Sequence, residues 1–251
     1  MWPRRNREEC TRLLTLLVGA TQSLIKPYAM PMLKNLLPKA SDPNPTVAAN
    51  ILMCLGELTC VGGEDALGDV PTLMQVIITR LSDPSLLKRD AALHTLGQVC
   101  SSTGYVIAPL IDYPQLLPIL GRILRTDSNQ AVRREVVKVL GILGALDPYR
   151  RKVGVSFVFS DQVAHERFKT RPDEDMSSET AVAAVNQVPV TQLTASSASD
   201  DYYQTVVITS LLAILKDQAL NSQHHTVIEA IMSIFKTQGL KCVTFLPQVC
   251  C

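Results

Sequence analysis

The chain has 251 residues, of which 47% are hydrophobic, 5% aromatic and 19% charged. A formal net charge of +1 excludes the strong positive field that is typical of many nucleic-acid-binding and membrane-surface proteins. The scarcity of aromatic residues, beside many Leu, Ile, Val and Ala residues, favours stacked helices over a β-sandwich. Because no two of the seven cysteines form a C-x-x-C pair, we expect reduced thiols in a cytosolic or nuclear protein, several of them buried.

We expect no transmembrane segment, because no apolar run approaches the roughly 18 residues of a membrane-spanning helix. The stretch from Val206 to Leu215 comes nearest, and Thr209 and Ser210 interrupt it.

In chain order, a polar and basic stretch over residues 1–12 precedes a short apolar helix predicted at 13–24, which has no partner upstream. Lys26-Pro27-Tyr28 is expected to end that helix before another begins at Met30. Pairs of helices then follow, each pair joined by a turn that contains an aspartate. The second helices of these pairs are predicted near 44–61, 85–101 and 128–146.

The three second helices align without gaps on the aspartate that precedes each of them. Asp42, Asp83 and Asp127 are separated by 41 and 44 residues, and a glycine follows each by 14 residues, namely Gly56, Gly97 and Gly141. A two-helix unit of ~40–47 residues is the period of HEAT and armadillo repeats. Since a glycine inside a helix costs roughly 1 kcal/mol relative to alanine, its recurrence predicts a close approach of helices at this register.

Residues 150–201 interrupt the pattern, because they lack helical periodicity and hold most of the acidic and hydroxyl-rich runs. We expect a long disordered insertion there, with no particular reason to regard its serines as phosphorylated. The two-helix pattern resumes over 202–217 and 222–238. The predicted fold class is all-α, a HEAT-like α-α superhelix (solenoid) of about four helical hairpins. Its domains are HEAT-like repeats at 1–149, the polar insertion at 150–201, and a further hairpin with the start of another repeat at 202–251.

No residue qualifies as catalytic, cofactor-binding or metal-binding, so we predict no cofactor. There is no G-x-G motif for a phosphate loop, and Arg89-Asp90 lacks the preceding histidine of a kinase catalytic loop. His224 and His225 are adjacent, so on a helix they point about 100° apart and do not suit one metal ion. Arg133-Arg134 and Arg150-Arg151-Lys152 lack interleaved aromatic residues, so we expect no nucleic-acid partner.

Several stretches, in one order across most of residues 25–249, resemble the target-of-rapamycin (TOR) protein kinases of the PI3K-related kinase family. They include Asp83-Pro84-Ser85-Leu86-Leu87, Arg133-Arg134-Glu135 with the run from Val139 to Tyr149, and Gly239-Leu240-Lys241-Cys242-Val243. The resemblance implies a HEAT-repeat segment on the N-terminal side of the FAT and kinase regions. The unfinished pattern at both ends of the chain leads us to expect a segment of a longer solenoid.

The resemblance also implies a function, namely a non-catalytic scaffold that supports complex assembly and partner docking in nutrient and growth signalling. The implied partners are the rest of a TOR kinase chain and the adaptor subunits of TOR complexes. The implied location is cytoplasmic, with recruitment to endomembranes through partners, or nuclear. Family residues for catalysis, ATP binding and rapamycin binding have no matching position in this chain. The alternative is a free-standing HEAT-repeat adaptor that binds a peptide or helix on its concave face.

Overall fold

The computed structural model describes residues 4–103, 109–146 and 202–249, and over these ranges the chain contains helices and turns but no strand. The predicted all-α fold class is therefore confirmed. The insertion predicted at 150–201 lies outside the described residues. The chain divides into two compact units, Met1–Thr103 and Gly104–Cys251.

The first unit is built around its third helix. Its helices are α1 (Arg4–Thr21), α2 (Lys26–Leu36), α3 (Pro45–Gly62), α4 (Val70–Leu81) and α5 (Leu86–Thr103). Helix α3 packs against α1, α2 and α5, and α4 packs against α5. Ile51, Leu52, Leu55 and Leu58 of α3 are at most 2% exposed, so this helix supplies much of the core.

Helix α3 also has the length and composition of a membrane span, with a mean hydropathy of 1.3 over 18 residues. Within the fold, however, 61% of that stretch is buried against neighbouring helices. Helix α3, and not the stretch from Val206 to Leu215, is therefore the segment most similar to a membrane-spanning helix in length and hydropathy. In this fold its apolar residues form part of the protein core.

Residues 4–41 are more helical than the sequence predicts. Helix α1 already begins at Arg4 because its polar residues have partners near the start of α3: Arg7 Nη1 donates to Asp42 Oδ2 at 2.9 Å, and Glu8 Oε1 accepts from Asn44 Nδ2 at 2.6 Å. Helix α1 ends at Thr21, before Gln22 with its φ of 44°, and Lys26-Pro27-Tyr28 starts α2. A proline is tolerated in a first helical turn, where its missing N–H has no partner to lose.

In the second unit, α8 has the central position. The helices among its described residues are α6 (Pro109–Asp112), α7 (Leu116–Thr126), α8 (Gln130–Gly144), α9 (Tyr202–Lys216), α10 (His224–Gln238) and α11 (Leu246–Val249). Helix α8 packs against α7, α9 and α10. Glycine ends α3 at Gly63 and α10 at Gly239, where φ is 55° and 57°, a conformation that strains other residues.

The aspartate that marks each repeat has the same geometry in all four pairs. Its Oδ1 accepts a hydrogen bond from the N–H two residues later, at 2.8 Å for Asp42 and 2.9 Å for Asp83, Asp127 and Asp217. Two residues after the first and third of these, Asn44 and Asn129 cap α3 and α8. The repeated aspartate therefore shapes the turn before α3, α5 and α8, and in the fourth pair it caps the 3-10 turn Gln218–Gln223 that precedes α10.

Replacing Leu140 with aspartate tests the register of α8, because Leu140 is 3% exposed. The substitution places an unpaired charge in the core, so we expect the free energy of unfolding to fall by about 3 kcal/mol or more. Urea denaturation followed by circular dichroism measures the change. Arg134→Asp, on the exposed side of the same helix, is the control and should change stability by about 0.5 kcal/mol or less. Equal effects of the two substitutions would contradict the register.

Candidate interaction surfaces

The second helices approach one another closely at the repeated glycine. A Cβ on Gly56 of α3 would collide with the side-chain oxygen of Gln98 on α5, and a Cβ on Gly141 of α8 would lie 3.1 Å from Ala230 Cβ on α10. The close approach predicted from the recurring glycine is confirmed at these two positions. A Cβ at Gly56 would require Gln98 to move, and a Cβ at Gly141 would require Ala230 to shift by a few tenths of an ångström.

Polar side chains cross the same helix contacts. Thr95 Oγ1 on α5 donates to the Leu52 carbonyl of α3, and Thr15 Oγ1 on α1 donates to the Asn50 carbonyl of α3, each at 2.9 Å. Two glutamines do the same: Gln98 Nε2 donates to Glu57 Oε1 and Gln238 Nε2 to the Ala145 carbonyl, each at 2.6 Å. Since hydrogen bonds depend on direction and distance, they fix the register that apolar contacts alone leave loose.

A cluster of charges surrounds Asp83 at the turn between α4 and α5. Arg80 Nη1 and Lys88 Nζ each lie 3.3 Å from Asp83 Oδ2, and the Asp83 side chain is 12% exposed. Burial by itself raises the pKa of this carboxyl. Hydrogen bonds from the Ser85 N–H, Lys88 and Arg80, together with the charge of Lys88, outweigh burial and hold the pKa below its ordinary value of 3.8.

Two arginines that the sequence suggests as candidates for a catalytic or phosphate-binding role instead make hydrogen bonds to the backbone. Arg89 Nη1 donates to the carbonyls of Asp83 and Pro84, and Arg133 Nε donates to the Asp127 carbonyl at 2.6 Å. These arginines therefore stabilise the turns that precede α5 and α8.

The two adjacent histidines contact different groups. His224 Nε2 lies 3.3 Å from the Asp217 carbonyl, whereas His225 Nδ1 lies 3.6 Å from Glu229 Oε1 and is 87% exposed. Over residues 4–103, 109–146 and 202–249, no group of three or more His, Cys, Asp or Glu residues is placed to hold a metal ion. His165 and the basic run 150–152 lie outside the described residues.

The buried thiols are poor nucleophiles. Burial, reinforced by the nearby Glu57 carboxylate, raises the pKa of Cys54 to about 11, and burial raises the pKa of Cys100 to about 12. At neutral pH both thiols are protonated and serve as small apolar side chains, as the sequence predicts for several of the cysteines.

Among the described residues, two groups of exposed apolar side chains stand out beside single residues and pairs such as Met53 and Leu86-Leu87. On α1, Leu13, Leu16 and Leu17 are 53–57% exposed, and we call these three residues the α1 stripe. In the second unit, the C-terminal patch consists of Ile228, Met232, Leu240, Val243 and Leu246, which are 42–89% exposed. Groups of exposed apolar residues are typical of contact surfaces for other proteins or other parts of a chain. The sequence signals only the first, through a helix that is apolar all round its C-terminal half.

Replacing Gly141 with leucine tests the close approach of α8 and α10. The new side chain must displace Ala230, so we expect the free energy of unfolding to fall by about 2–3 kcal/mol. The matched control is Gly19→Leu on α1, because a Cβ there meets nothing within 4 Å. That change should raise stability by up to about 0.8 kcal/mol through helix propensity. Thermal and urea melts distinguish the two; a Gly141→Leu protein as stable as Gly19→Leu would exclude a tight contact.

Replacing Asp83 with asparagine tests the charge cluster, because asparagine keeps the acceptor for the Ser85 N–H but removes the charge and the Oδ2 acceptor of Arg80 and Lys88. A carboxyl whose pKa is lower in the folded state stabilises the fold above its unfolded pKa of about 3.9 and loses that contribution as pH falls through the folded pKa. We therefore expect Asp83→Asn to lower the free energy of unfolding by about 1 kcal/mol at pH 7, with the difference shrinking below pH 4. Urea melts between pH 3 and pH 7 measure it, with the exposed Asp65→Asn as control. A constant difference at every pH would contradict a role for the charge.

Comparisons with a family model and with curated proteins both match this chain to one family. A family model described as the serine/threonine-protein kinase mTOR domain matches residues 106–251. Serine/threonine-protein kinase TOR2 of Saccharomyces cerevisiae is 40% identical over 246 residues, which cover 98% of this chain and 9% of that protein. The TOR kinase of Arabidopsis thaliana is 39% identical over 249 residues, 97% of this chain and 10% of that protein. The mTor kinase of Drosophila melanogaster is 38% identical over 254 residues, with similar coverage.

The chain spans about a tenth of the length of these curated relatives. Among solved structures, the crystal structure of an engineered protein superposes with a TM-score of 0.51 at 14% identity, over 92% of this chain and 90% of that one, which supports the helical fold alone. The family model covers more than half of the chain, and the relatives cover almost all of it. The chain therefore belongs to the TOR serine/threonine-protein kinase family, of whose members it spans a helical segment.

Proposed function

We propose that this chain is a non-catalytic scaffold segment of a TOR-type serine/threonine protein kinase, which supports complex assembly and partner docking in nutrient and growth signalling. The observation that carries the proposal is the set of contacts between second helices. Glycine at Gly56 and Gly141 permits close packing, and threonine and glutamine side chains fix the register. Such a stack holds distant parts of a long chain at defined separations.

The partners of this segment are protein surfaces, namely the rest of a TOR kinase chain and the adaptor subunits of TOR complexes. ATP binding and phosphotransfer belong to the full-length family member, and no residue of this segment is assigned a part in them. We place the segment in the cytoplasm, with recruitment to endomembranes through partners, or in the nucleus. HEAT-repeat, armadillo-like packing is the architecture we assign to it, with the domains predicted at 1–149, 150–201 and 202–251.

A chimera tests the scaffold role. The 251-residue segment replaces the matched region of Saccharomyces cerevisiae TOR2, and the purified assembly is weighed by mass photometry while its kinase activity is measured on a peptide. We expect the chimera to assemble at the mass of the parent complex, the Leu140→Asp version to lose adaptor subunits, and Arg134→Asp to behave as the parent. Full assembly with Leu140→Asp would overturn the scaffold role, and so would phosphotransfer by the isolated 251-residue chain.

The alternative function, a free-standing adaptor, draws support from the exposed apolar side chains of the α1 stripe and the C-terminal patch. The chimera distinguishes the two. An adaptor is expected to bind a peptide or helix as the isolated chain and to leave the chimera unable to assemble.

A further inference from the structure

A serine hydroxyl links two consecutive hairpins of the first unit. Ser41 is exposed and ends the 3-10 turn Leu37–Ser41 that leads towards α3, and its Oγ accepts a hydrogen bond from Arg80 Nη2 at 2.8 Å. Arg80 lies in the last turn of α4. The contact therefore joins the turn between α2 and α3 to the hairpin formed by α4 and α5, over a separation of 39 residues.

The same repeat position has a different partner in the second unit. Like Ser41, Thr126 directly precedes a repeated aspartate. Its Oγ1 donates to the Arg122 carbonyl at 2.9 Å, one turn earlier in the same helix. Because only one of these two hydroxyls is hydrogen-bonded to a cation from another hairpin, the contact of Ser41 with Arg80 is a feature of this turn and not of the repeat in general.

Arg80 has a donor left for a second oxygen atom. Its Nη1 lies 3.3 Å from Asp83 Oδ2 and its Nη2 donates to Ser41, whereas its Nε is buried and has no hydrogen-bond partner among the described residues. Nε and Nη2 lie on one edge of the guanidinium, and such an edge binds two oxygens of a phosphate or carboxylate at once. The Ser41 hydroxyl supplies one oxygen to an edge that can bind two.

The cleft beside Ser41 offers a second cation to an anionic group. This cleft has a volume of about 540 Å³ between the start of α1 and the turn before α3, and its walls include Lys39 and Ser41. Lys39 is exposed and forms no ion pair with any described residue. The carboxylate next to Ser41 already has a partner, since Asp42 Oδ2 lies 2.9 Å from Arg7 Nη1. An anion at Ser41 thus meets an unpaired lysine beside a carboxylate whose charge is compensated.

Arg80 can bind a stronger acceptor without leaving Asp83 unpaired. Lys88 Nζ also lies 3.3 Å from Asp83 Oδ2, and Asp83 Oδ1 accepts a hydrogen bond from the Ser85 N–H. Both contacts are independent of Arg80. The turn therefore has two cations, Arg80 and Lys39, to place around one acceptor at Ser41.

We propose that Ser41 is a phosphorylation site, and that its phosphate binds Arg80 and Lys39 and locks the hairpin α2–α3 to the hairpin α4–α5. A protein kinase transfers the γ-phosphoryl group of ATP. The bond from Ser41 Oγ to the γ-phosphorus forms while the bond from that phosphorus to the bridging oxygen breaks, ADP leaves, and the hydroxyl proton passes to a base of the kinase. A phosphoserine carries about −1.5 to −2 charges at pH 7 and has three acceptor oxygens, so it fills both donors of the Arg80 edge. The modification makes the stiffness of this scaffold adjustable.

Phosphoserine incorporated at position 41 of the 251-residue chain tests the lock. Relative to the unmodified chain, we expect the melting temperature to rise by about 3 °C, because new charge-assisted hydrogen bonds form between the two hairpins. Amide exchange over residues 37–42 should become about tenfold slower. Both effects should vanish when the phosphoserine is combined with Arg80→Gln, and both should shrink in 1 M NaCl, which screens exposed charges.

Lys39→Gln provides a second background that remains informative if Arg80→Gln does not fold, because Lys39 is exposed. It should reduce the rise in melting temperature by about half. The matched control is phosphoserine at the exposed Ser233 of α10, which should leave the exchange of residues 37–42 unchanged. A phosphoserine-41 chain that melts at or below the temperature of the unmodified chain would overturn the proposal. An equal rise in the Arg80→Gln and Lys39→Gln backgrounds would overturn it as well.

Mass spectrometry of the chain expressed in Saccharomyces cerevisiae tests whether kinases modify this residue. We expect phosphate on Ser41 in cells treated with phosphatase inhibitors, and its loss in Ser41→Ala without a change in the melting temperature. A chain with no phosphate on Ser41 under these conditions would reject Ser41 as a modification site. These measurements use the isolated chain, so their failure is separate from a failure of the chimera to assemble.

Discussion

The contact between successive second helices is the constraint on which the rest of the structure depends. A single hairpin has too little apolar area to bury its own inner face, so its stability comes from the neighbour stacked on it. The contact is close because glycine replaces a side chain at Gly56 and Gly141, and it is directional because Thr95 and Gln238 donate to backbone carbonyls across it. The first helices and the turns serve to present these second helices at the correct spacing.

Much of this arrangement could be predicted from the sequence, because it repeats. Asp42, Asp83 and Asp127 recur with a glycine 14 residues later, and each aspartate accepts the same backbone hydrogen bond. The helices Pro45–Gly62, Leu86–Thr103 and Gln130–Gly144 accordingly lie close to the predicted ranges. The sequence is enough to predict a helix wherever the turn residue, the capping residue and the spacing of apolar residues all indicate the same start.

What could not be predicted depends on partners that are distant in sequence. Residues 1–12 have the composition of a polar tail. Arg7 and Glu8 are nevertheless helical, because their side chains form hydrogen bonds with Asp42 and Asn44. Pro27 carries the same local signal whether it ends a helix or occupies a first turn. The sequence signals an apolar helix at 13–24, but which of its leucines face solvent follows from which side of α1 meets α3. Likewise, only the contacts reveal that Arg89 and Arg133 bind backbone carbonyls.

The gap above the repeated glycine is filled differently in the two units. In one, the side chain of Gln98 enters it and remains hydrogen-bonded to Glu57, and in the other the methyl group of Ala230 closes it. Neighbouring hairpins are therefore matched pairs, not interchangeable modules. Deleting or duplicating one hairpin in such a chain would bring together faces that do not fit. The number and order of hairpins are thus under a steric constraint of their own, quite apart from any demand made by a binding partner.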